Sequence, residues 1–360
     1  MTSVAENISA QHSTAQHSTA QHSTAQPILL SVITSTFNRP DMLQRAIHSV
    51  LNQSLKNLEH IIIDDCSTDD TEQVVKNIQA SDERVIYIKN QTNSGPEINR
   101  MNGLRQARGK YIVFIDDDDY YTDMDFFSKA VKIFEDNPDK DLAFVAANEY
   151  SQDLNTGETN IDKLGVTGYI SGIDCILNPN KKHLKPASTF YSVRSAEKLK
   201  QAGLCEKVIF DATSPLYAAL YGNAYFLPDV VGVYVAHKNS MTLGYSHNPG
   251  YYARKISDRI ELLRQYKDMR DILYTKTDKK SADKWYTSEV ANIVGYSSVS
   301  QPGFAINLKL AWIILKESDF MPALFPKIIK VFIKGQLRRI TPLKKLYKML
   351  KRMLKGNKDA

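Results

Sequence analysis

The sequence predicts an α/β fold: a mostly parallel central sheet with flanking helices, followed by a helical C-terminal extension. Short apolar, β-rich runs alternate with helix-patterned segments over roughly the first hundred residues after Pro27. Acidic clusters follow two of those runs directly, at 64–65 and 116–119. From about Tyr251 onward the apolar spacing is helical.

Residues 28–34 form the first apolar run and read as a buried strand. Asn38, Arg39, Pro40 and Asp41 make a turn into a helix with Leu43, Ala46, Ile47, Val50 and Leu51 at helical spacing. Residues 58–63 are a second strand, ending in Asp64 and Asp65; Ser67, Thr68, Asp69 and Asp70 then start a helix through Val74, Val75 and Ile78. Residues 85–88 form a third strand, 93–96 a loop, 98–107 a helix, and 111–115 a fourth strand that runs into Asp116, Asp117, Asp118 and Asp119. In open parallel sheets ligands bind outside the carboxyl ends of the strands, which is where both acidic clusters lie.

Four adjacent carboxylates repel one another unless a cation offsets the charge. Mg²⁺ and Mn²⁺ prefer such oxygen ligands, and alternation along an extended strand turns Asp116 and Asp118 the same way. A solvated acidic turn is the plainer alternative. Asp64 or Asp65 can accept from a base N–H or a ribose hydroxyl, or can serve the following helix N-terminus.

Four segments in order, 31–40 (SVITSTFNRP), 49–54 (SVLNQS), 61–71 (IIIDDCSTDDT) and 93–119, ending in ARGKYIVFIDDDD, resemble the family-2 inverting glycosyltransferases of the GT-A fold. The resemblance is strong over about 30–120 and fades by about 242. It implies that Thr36 and Arg39 line a nucleotide pocket and that Asp64 or Asp65 contacts a uracil-type base and ribose. It also places Asn93, Gly95, Asn102 and Asp117 in the nucleotide-sugar site. Asp116 and Asp118 fill the metal motif with Asp119 beside them, and His237 approaches the metal or pyrophosphate. Cofactors implied are Mn²⁺ or Mg²⁺. Residues 185–190 resemble the strand before the acceptor helix, and Asp211 matches the catalytic base, with Glu206 as second candidate. Asp211 as a helix cap and His237 as a surface-loop histidine are the alternatives. Cys66 stands where glycine is common, and Met101 where arginine often precedes the asparagine, which leaves one phosphate contact in question.

Composition bounds the rest. Hydrophobic residues make up 42% and charged residues 24% of the 360-residue chain, as in ordinary globular proteins. Cys66, Cys175 and Cys205 lack any Cys-x-x-Cys spacing, which argues against a disulfide framework or zinc site and for a reducing compartment. Neither a transmembrane segment nor a secretory signal is expected. Residues 327–360 hold 12 of the 46 Lys/Arg and one of the 40 Asp/Glu, leaving 34 against 39 in the remainder. A basic tail beside an acidic body points to an anionic membrane surface and away from nucleic acid. Apolar stripes at 328–333 and 343–354 read as interfacial helices, or else as a packed subdomain with a solvated basic face.

Residues 10–24 are three copies of Ala-Gln-His-Ser-Thr, containing His12, His17 and His22. A repeated GCACA unit read in triplets encodes that period, so slippage of such a tract would switch expression on and off; a simple five-codon duplication gives the same protein. The expected organisation is a disordered repeat tail at 1–26, a GT-A domain at 27–245, a helical extension at 246–320 and a membrane-associating tail at 321–360. The expected activity is sugar transfer from a nucleotide diphosphate sugar to a glycan or glycolipid acceptor at the cytoplasmic face of the inner membrane. A sugar nucleotidyltransferase and a non-catalytic membrane adaptor are the rival readings.

Overall fold

The computed structural model describes residues 27–162, 165–177, 191–211, 213–238 and 249–300. The repeat segment, residues 185–190 and the basic tail with its apolar stripes lie outside the described residues.

The first half follows the alternation in the sequence. Strands β1 (Leu30–Thr36), β2 (Leu58–Asp64), β3 (Val85–Lys89) and β4 (Tyr111–Phe114) interleave with helices α1 (Pro40–Leu51), α2 (Thr71–Gln79) and α3 (Pro96–Gln106). All three pairings among these strands are parallel, in the order β3-β2-β1-β4. The strands pair most of their length, with Leu30 opposite both Leu58 and Tyr111. Their continuous apolar character has a physical cause: all seven residues of β2 are buried, because helices cover both faces.

The second half extends this sheet. A two-residue strand β5 (Tyr120–Tyr121) precedes α4 (Phe126–Asp136), then come the long β6 (Leu142–Asp153), β7 (Thr159–Asp162), β8 (Gly168–Ile170) and α5 (Gly172–Leu177). Strand β9 (Ser192–Ser195), helices α6 (Ala196–Gln201) and α7 (Ser214–Tyr221) and strand β10 (Asn223–Ala236) follow. Strand β9 sits antiparallel between β4 and β6, and β10 runs parallel to β6. The sheet is thus mostly parallel in its body, with β5, β7, β8 and β9 antiparallel.

Alternation along β1 and β4 feeds two cores, and Ile62 of β2 and Val85 of β3 pack with α1 and α2 in a third. Ile33, Ile112 and Phe114 pack with α3, α5, α6 and α7 on one face. Leu30, Val32, Tyr111, Val113 and Ile115 pack with Phe126, Phe127, Ala130 and Phe134 of α4 on the other. The predicted C-terminal helices appear as α8 (Pro249–Leu273) and α9 (Lys279–Ser300). Leu263, Tyr266, Met269, Trp285 and Tyr286 join the first of these cores, so the extension shares its interior with the sheet. No helix among the described residues is long and apolar enough to cross a membrane.

Candidate active site

Strand β4 runs buried as far as Ile115 and delivers four consecutive carboxylates to the carboxyl edge of the sheet. Ligand oxygens of Asp116, Asp118 and Asp119 lie within 4.8 Å of one another. Each carboxylate meets a different element. Asp117 accepts from the Thr36 hydroxyl at 2.8 Å and from Arg39 at 2.9 Å. Asp118 accepts from Arg39 at 2.9 Å and lies 2.9 Å from His237 Nε2, while its backbone carbonyl accepts from Arg45 at 2.6 Å. Asp119 accepts from the Val235 amide at 2.8 Å, and its Oδ2 is buried without a hydrogen-bond partner. Asp116, the most exposed of the four, accepts from Arg100 at 2.8 Å.

Crowding shows in the protonation equilibria. Burial pushes the Asp117 carboxyl up to about 7, against the pull of Arg39. Burial and then the neighbouring Asp116 charge push Asp118 up to about 6. Asp119 is driven well above the usual carboxylate range by burial and by Asp118. Burial, with Arg39 beside it, lowers the His237 imidazole, which is therefore neutral at pH 7. Three hard oxygen ligands, one of them a buried and unbonded carboxylate oxygen, are the donor set that suits Mg²⁺ or Mn²⁺.

The carboxyl ends of β1 and β2 form the neighbouring wall. Asn38 and Cys66 there have φ of 53° and 70°, the left-handed region. Two reciprocal bonds lock them: Asn38 N–H to Ser67 Oγ, and Thr68 N–H to Asn38 Oδ1, both at 2.9 Å. Asp64 and Asp65 are buried beneath this wall and serve its architecture. Asp64 accepts from the Ser67 amide at 2.8 Å and the Tyr87 hydroxyl at 2.5 Å. Asp65 accepts from the amides of Ser94 at 2.7 Å and Gly95 at 2.8 Å, and so shapes the entry to α3. Gly95 has φ of 89°, a conformation suited to glycine. Asn93 is exposed, donating to the Asp65 carbonyl, and Asn102 is half-buried on α3.

Arg100 is the site residue that the sequence reading missed. It is buried on α3 and bridges two carboxylates, Asp116 at 2.8 Å and Asp211 at 2.7 Å. A usable signal existed: Arg100 shares a helix face with Gly103 and Leu104, and a cation on a sheet-facing surface requires carboxylate partners.

Asp211 sits at the rim, its side chain 46% exposed. Packed protein around it pushes its carboxyl up to about 6; Arg100 opposes the shift and Asp116 adds to it. Helix α7 begins at Ser214 with Thr213 as its N-cap residue, so Asp211 lies outside the capping position. Glu206 is exposed and pairs with Arg105 at 2.9 Å. Of the predicted residues, Asp116 and Asp211 are bridged by Arg100, and Thr36, Arg39, Asp117, Asp118 and His237 form a second bonded set; the two sets meet where Asp116, Asp118 and Asp119 gather within 4.8 Å.

Residues 31–199 match the family model "Glycosyl transferase family 2". A 91-residue segment is 52% identical to the GalNAc(5)-diNAcBac-PP-undecaprenol beta-1,3-glucosyltransferase of Campylobacter jejuni, covering 25% of this chain and 29% of that protein. A 93-residue segment is 42% identical to the UDP-Glc:alpha-D-GlcNAc-diphosphoundecaprenol beta-1,3-glucosyltransferase WfaP of Escherichia coli, covering 26% and 36%. The matched segments therefore span only about a third of these relatives. The crystal structure of S. aureus TarS 1-349 in complex with UDP-GlcNAc superposes with a TM-score of 0.55 at 16% identity, over 87% of this chain and 92% of that one. At that identity the likeness speaks to fold alone. Residues 31–199 thus match a family-2 glycosyltransferase domain, and the chain has a GT-A-like fold.

Proposed function

We propose that the protein transfers a hexose or N-acetylhexosamine, with inversion, from a nucleotide diphosphate sugar, most simply a UDP-sugar, to a lipid-linked cell-surface glycan such as lipooligosaccharide or capsule. The observation that carries this reading is the gathering of Asp116, Asp118 and Asp119 within 4.8 Å, with Arg100 bridging Asp116 of that cluster to Asp211. It sets a cluster suited to a divalent cation next to a carboxylate with access to solvent. Related segments in the two undecaprenol-linked glucosyltransferases support a lipid-linked acceptor.

In this reading Asp211 takes the proton from the acceptor hydroxyl as its oxygen attacks the anomeric carbon. The bond from that carbon to the diphosphate oxygen breaks on the opposite face, and its electron pair leaves with the nucleoside diphosphate. A carboxyl titrating near 6 is mostly ionised at pH 7 and is a stronger base than an ordinary aspartate. Thr36 and Arg39 orient Asp117 and Asp118, and Arg100 fixes Asp116 relative to the base. Mn²⁺ or Mg²⁺ held by Asp116, Asp118 and Asp119 would neutralise charge on the departing diphosphate.

The basic tail supports peripheral attachment to the cytoplasmic face of the inner membrane. Domain limits at 27–245, 246–320 and 321–360 belong to the same proposal.

The test is release of nucleoside diphosphate from UDP-, GDP- and TDP-sugars, with and without Mn²⁺ or Mg²⁺, beside Asp118→Asn. Metal-dependent release from one donor, reduced on the order of 10²-fold or more in the variant, is the expected outcome. A folded protein that binds and turns over none of these donors would turn the reading to the adaptor. Release of pyrophosphate from a nucleoside triphosphate and a sugar phosphate would turn it to a nucleotidyltransferase.

A further inference from the structure

Residues 208–211, which include Asp211, and residue 213 lie outside any helix or strand. Two elements hold this segment from different sides. From α3, the Glu97 carbonyl accepts from the Ile209 amide at 3.2 Å, and Arg100 pairs with Asp211 at 2.7 Å. From α8, Gln265 reaches both ends of the segment with one amide group. Its Nε2 donates to the Val208 carbonyl at 2.8 Å, and its Oε1 accepts from the Thr213 hydroxyl at 2.7 Å. Gln265 is 3% exposed, so water does not compete for these bonds.

We propose that Gln265 is a positioning residue for Asp211: by gripping residues 208 and 213 together, the extension fixes the carboxylate against Arg100. This rests on the reading of Asp211 as the base. The amide has donor and acceptor at one tip, so among the described residues it ties the two ends to α8; its removal deletes both of those bonds while leaving the α3 contacts. Donor groups bind on the β1 and β4 side of the site in this reading, so donor affinity is insulated from the change.

The experiment uses the full chain. UDP binding is titrated, and the rate constant for release of UDP from the donor selected by the panel is measured with water as acceptor. Gln265→Ala and Thr213→Val are expected to lower that rate constant on the order of ten- to a hundredfold. UDP affinity should stay within about twofold of the native protein. Thr213→Ser, which keeps the hydroxyl, should restore the native rate. Tyr217→Phe supplies the structural control. It deletes the Tyr217 hydroxyl's bonds to Asp268 at 2.8 Å and to the Gln265 backbone carbonyl at 3.3 Å, keeps both bonds of the Gln265 side-chain amide, and should leave the rate near native. Parallel losses of UDP affinity and rate in Gln265→Ala, or equal losses in Tyr217→Phe, would reduce Gln265 to a packing role and overturn the assignment. A native rate in Gln265→Ala overturns it while Asp211→Asn remains inactive; a native rate in Asp211→Asn removes the base reading itself.

Discussion

Cys66 shows how one residue can record the geometry of a site. Its φ of 70° lies where an L-residue meets its own carbonyl, at a cost of order 1–2 kcal/mol that glycine escapes. This explains why glycine suits the position. Cys66→Gly is expected to leave stability within about 1 kcal/mol, since relief of strain is offset by a more flexible unfolded chain. Cys66→Val should cost about 1–3 kcal/mol, because β-branching is poorly tolerated there. Urea midpoints of the two variants check the contrast; equal stabilities would mean that the loop relaxes out of the left-handed region.

His60 makes a second argument at the same scale. It is fully buried in β2, with Nε2 2.9 Å from the Thr34 hydroxyl. Burial, and then Arg84, lower it from 6.5 to about 3. The unfolded chain therefore takes up a proton below pH 6.5 that the native state refuses until about pH 3, and stability falls across that window. At pH 5 the loss from this group is about 2 kcal/mol. His60→Gln should remove that part of the difference in urea stability between pH 7.5 and pH 5. An unchanged difference would assign it to other groups.

At the scale of elements, the crossing of α3 over β1 decides where Arg100 stands. A Cβ at Gly103 would lie 2.4 Å from Ile33 Cγ2, so glycine lets the helix rest on the strand. Gly103→Ala should cost about 1–3 kcal/mol by overpacking. Because Arg100 rides on the same helix, donor turnover should fall as well. A double-mutant cycle with Ile33→Ala checks the cause: strict additivity would show that the two residues do not collide.

Elements in the first half were legible because each strand is short, apolar and followed by a turn. Their observed limits fall within about two residues of the expected ones, which is the ordinary uncertainty of an element end. The second half was less legible. Strand β6 begins fully buried and ends half-exposed, so it shows neither a continuous apolar run nor clean alternation. Helix α9 is rich in Ser, Thr and Val, which are weak helix formers, and is stabilised by tertiary burial of Trp285, Tyr286 and Val290. The carboxylates of the site were readable from their place at strand ends. Arg39 came with them through the family resemblance, but Arg100 did not: its place on the sheet-facing side of α3 asks for carboxylate partners without naming them, and they are 16 and 111 residues away.

For the whole molecule, the extension is continuous with the core. Leu263, Tyr266, Met269 and Trp285 pack in the cluster that contains Phe144, Tyr217 and Phe226. A chain ending at residue 245 should therefore expose large apolar surface and be recovered as aggregate or as a dye-binding partly folded state. Native-like cooperative melting of that fragment would show instead that 27–245 is an autonomous unit. Removing only 321–360 tests a different point: it should lower recovery of the protein with anionic vesicles while leaving donor turnover in solution unchanged.

The place of β10 in the sheet bears on how the chain reaches this state. Val235 holds Asp119, and His237 meets Asp118, so two buried carboxylates receive these contacts from β10 and the residue that follows it, laid more than a hundred residues later in the chain. Until β10 docks, the acidic edge of β4 stands uncovered, hydrated and self-repelling. Sealing it is a late, long-range event of folding, slow by the entropy of the intervening loop. A chain emerging from the ribosome can therefore complete its first four strands and still lack an active site, and competence to bind donor becomes a report that the last strand has arrived.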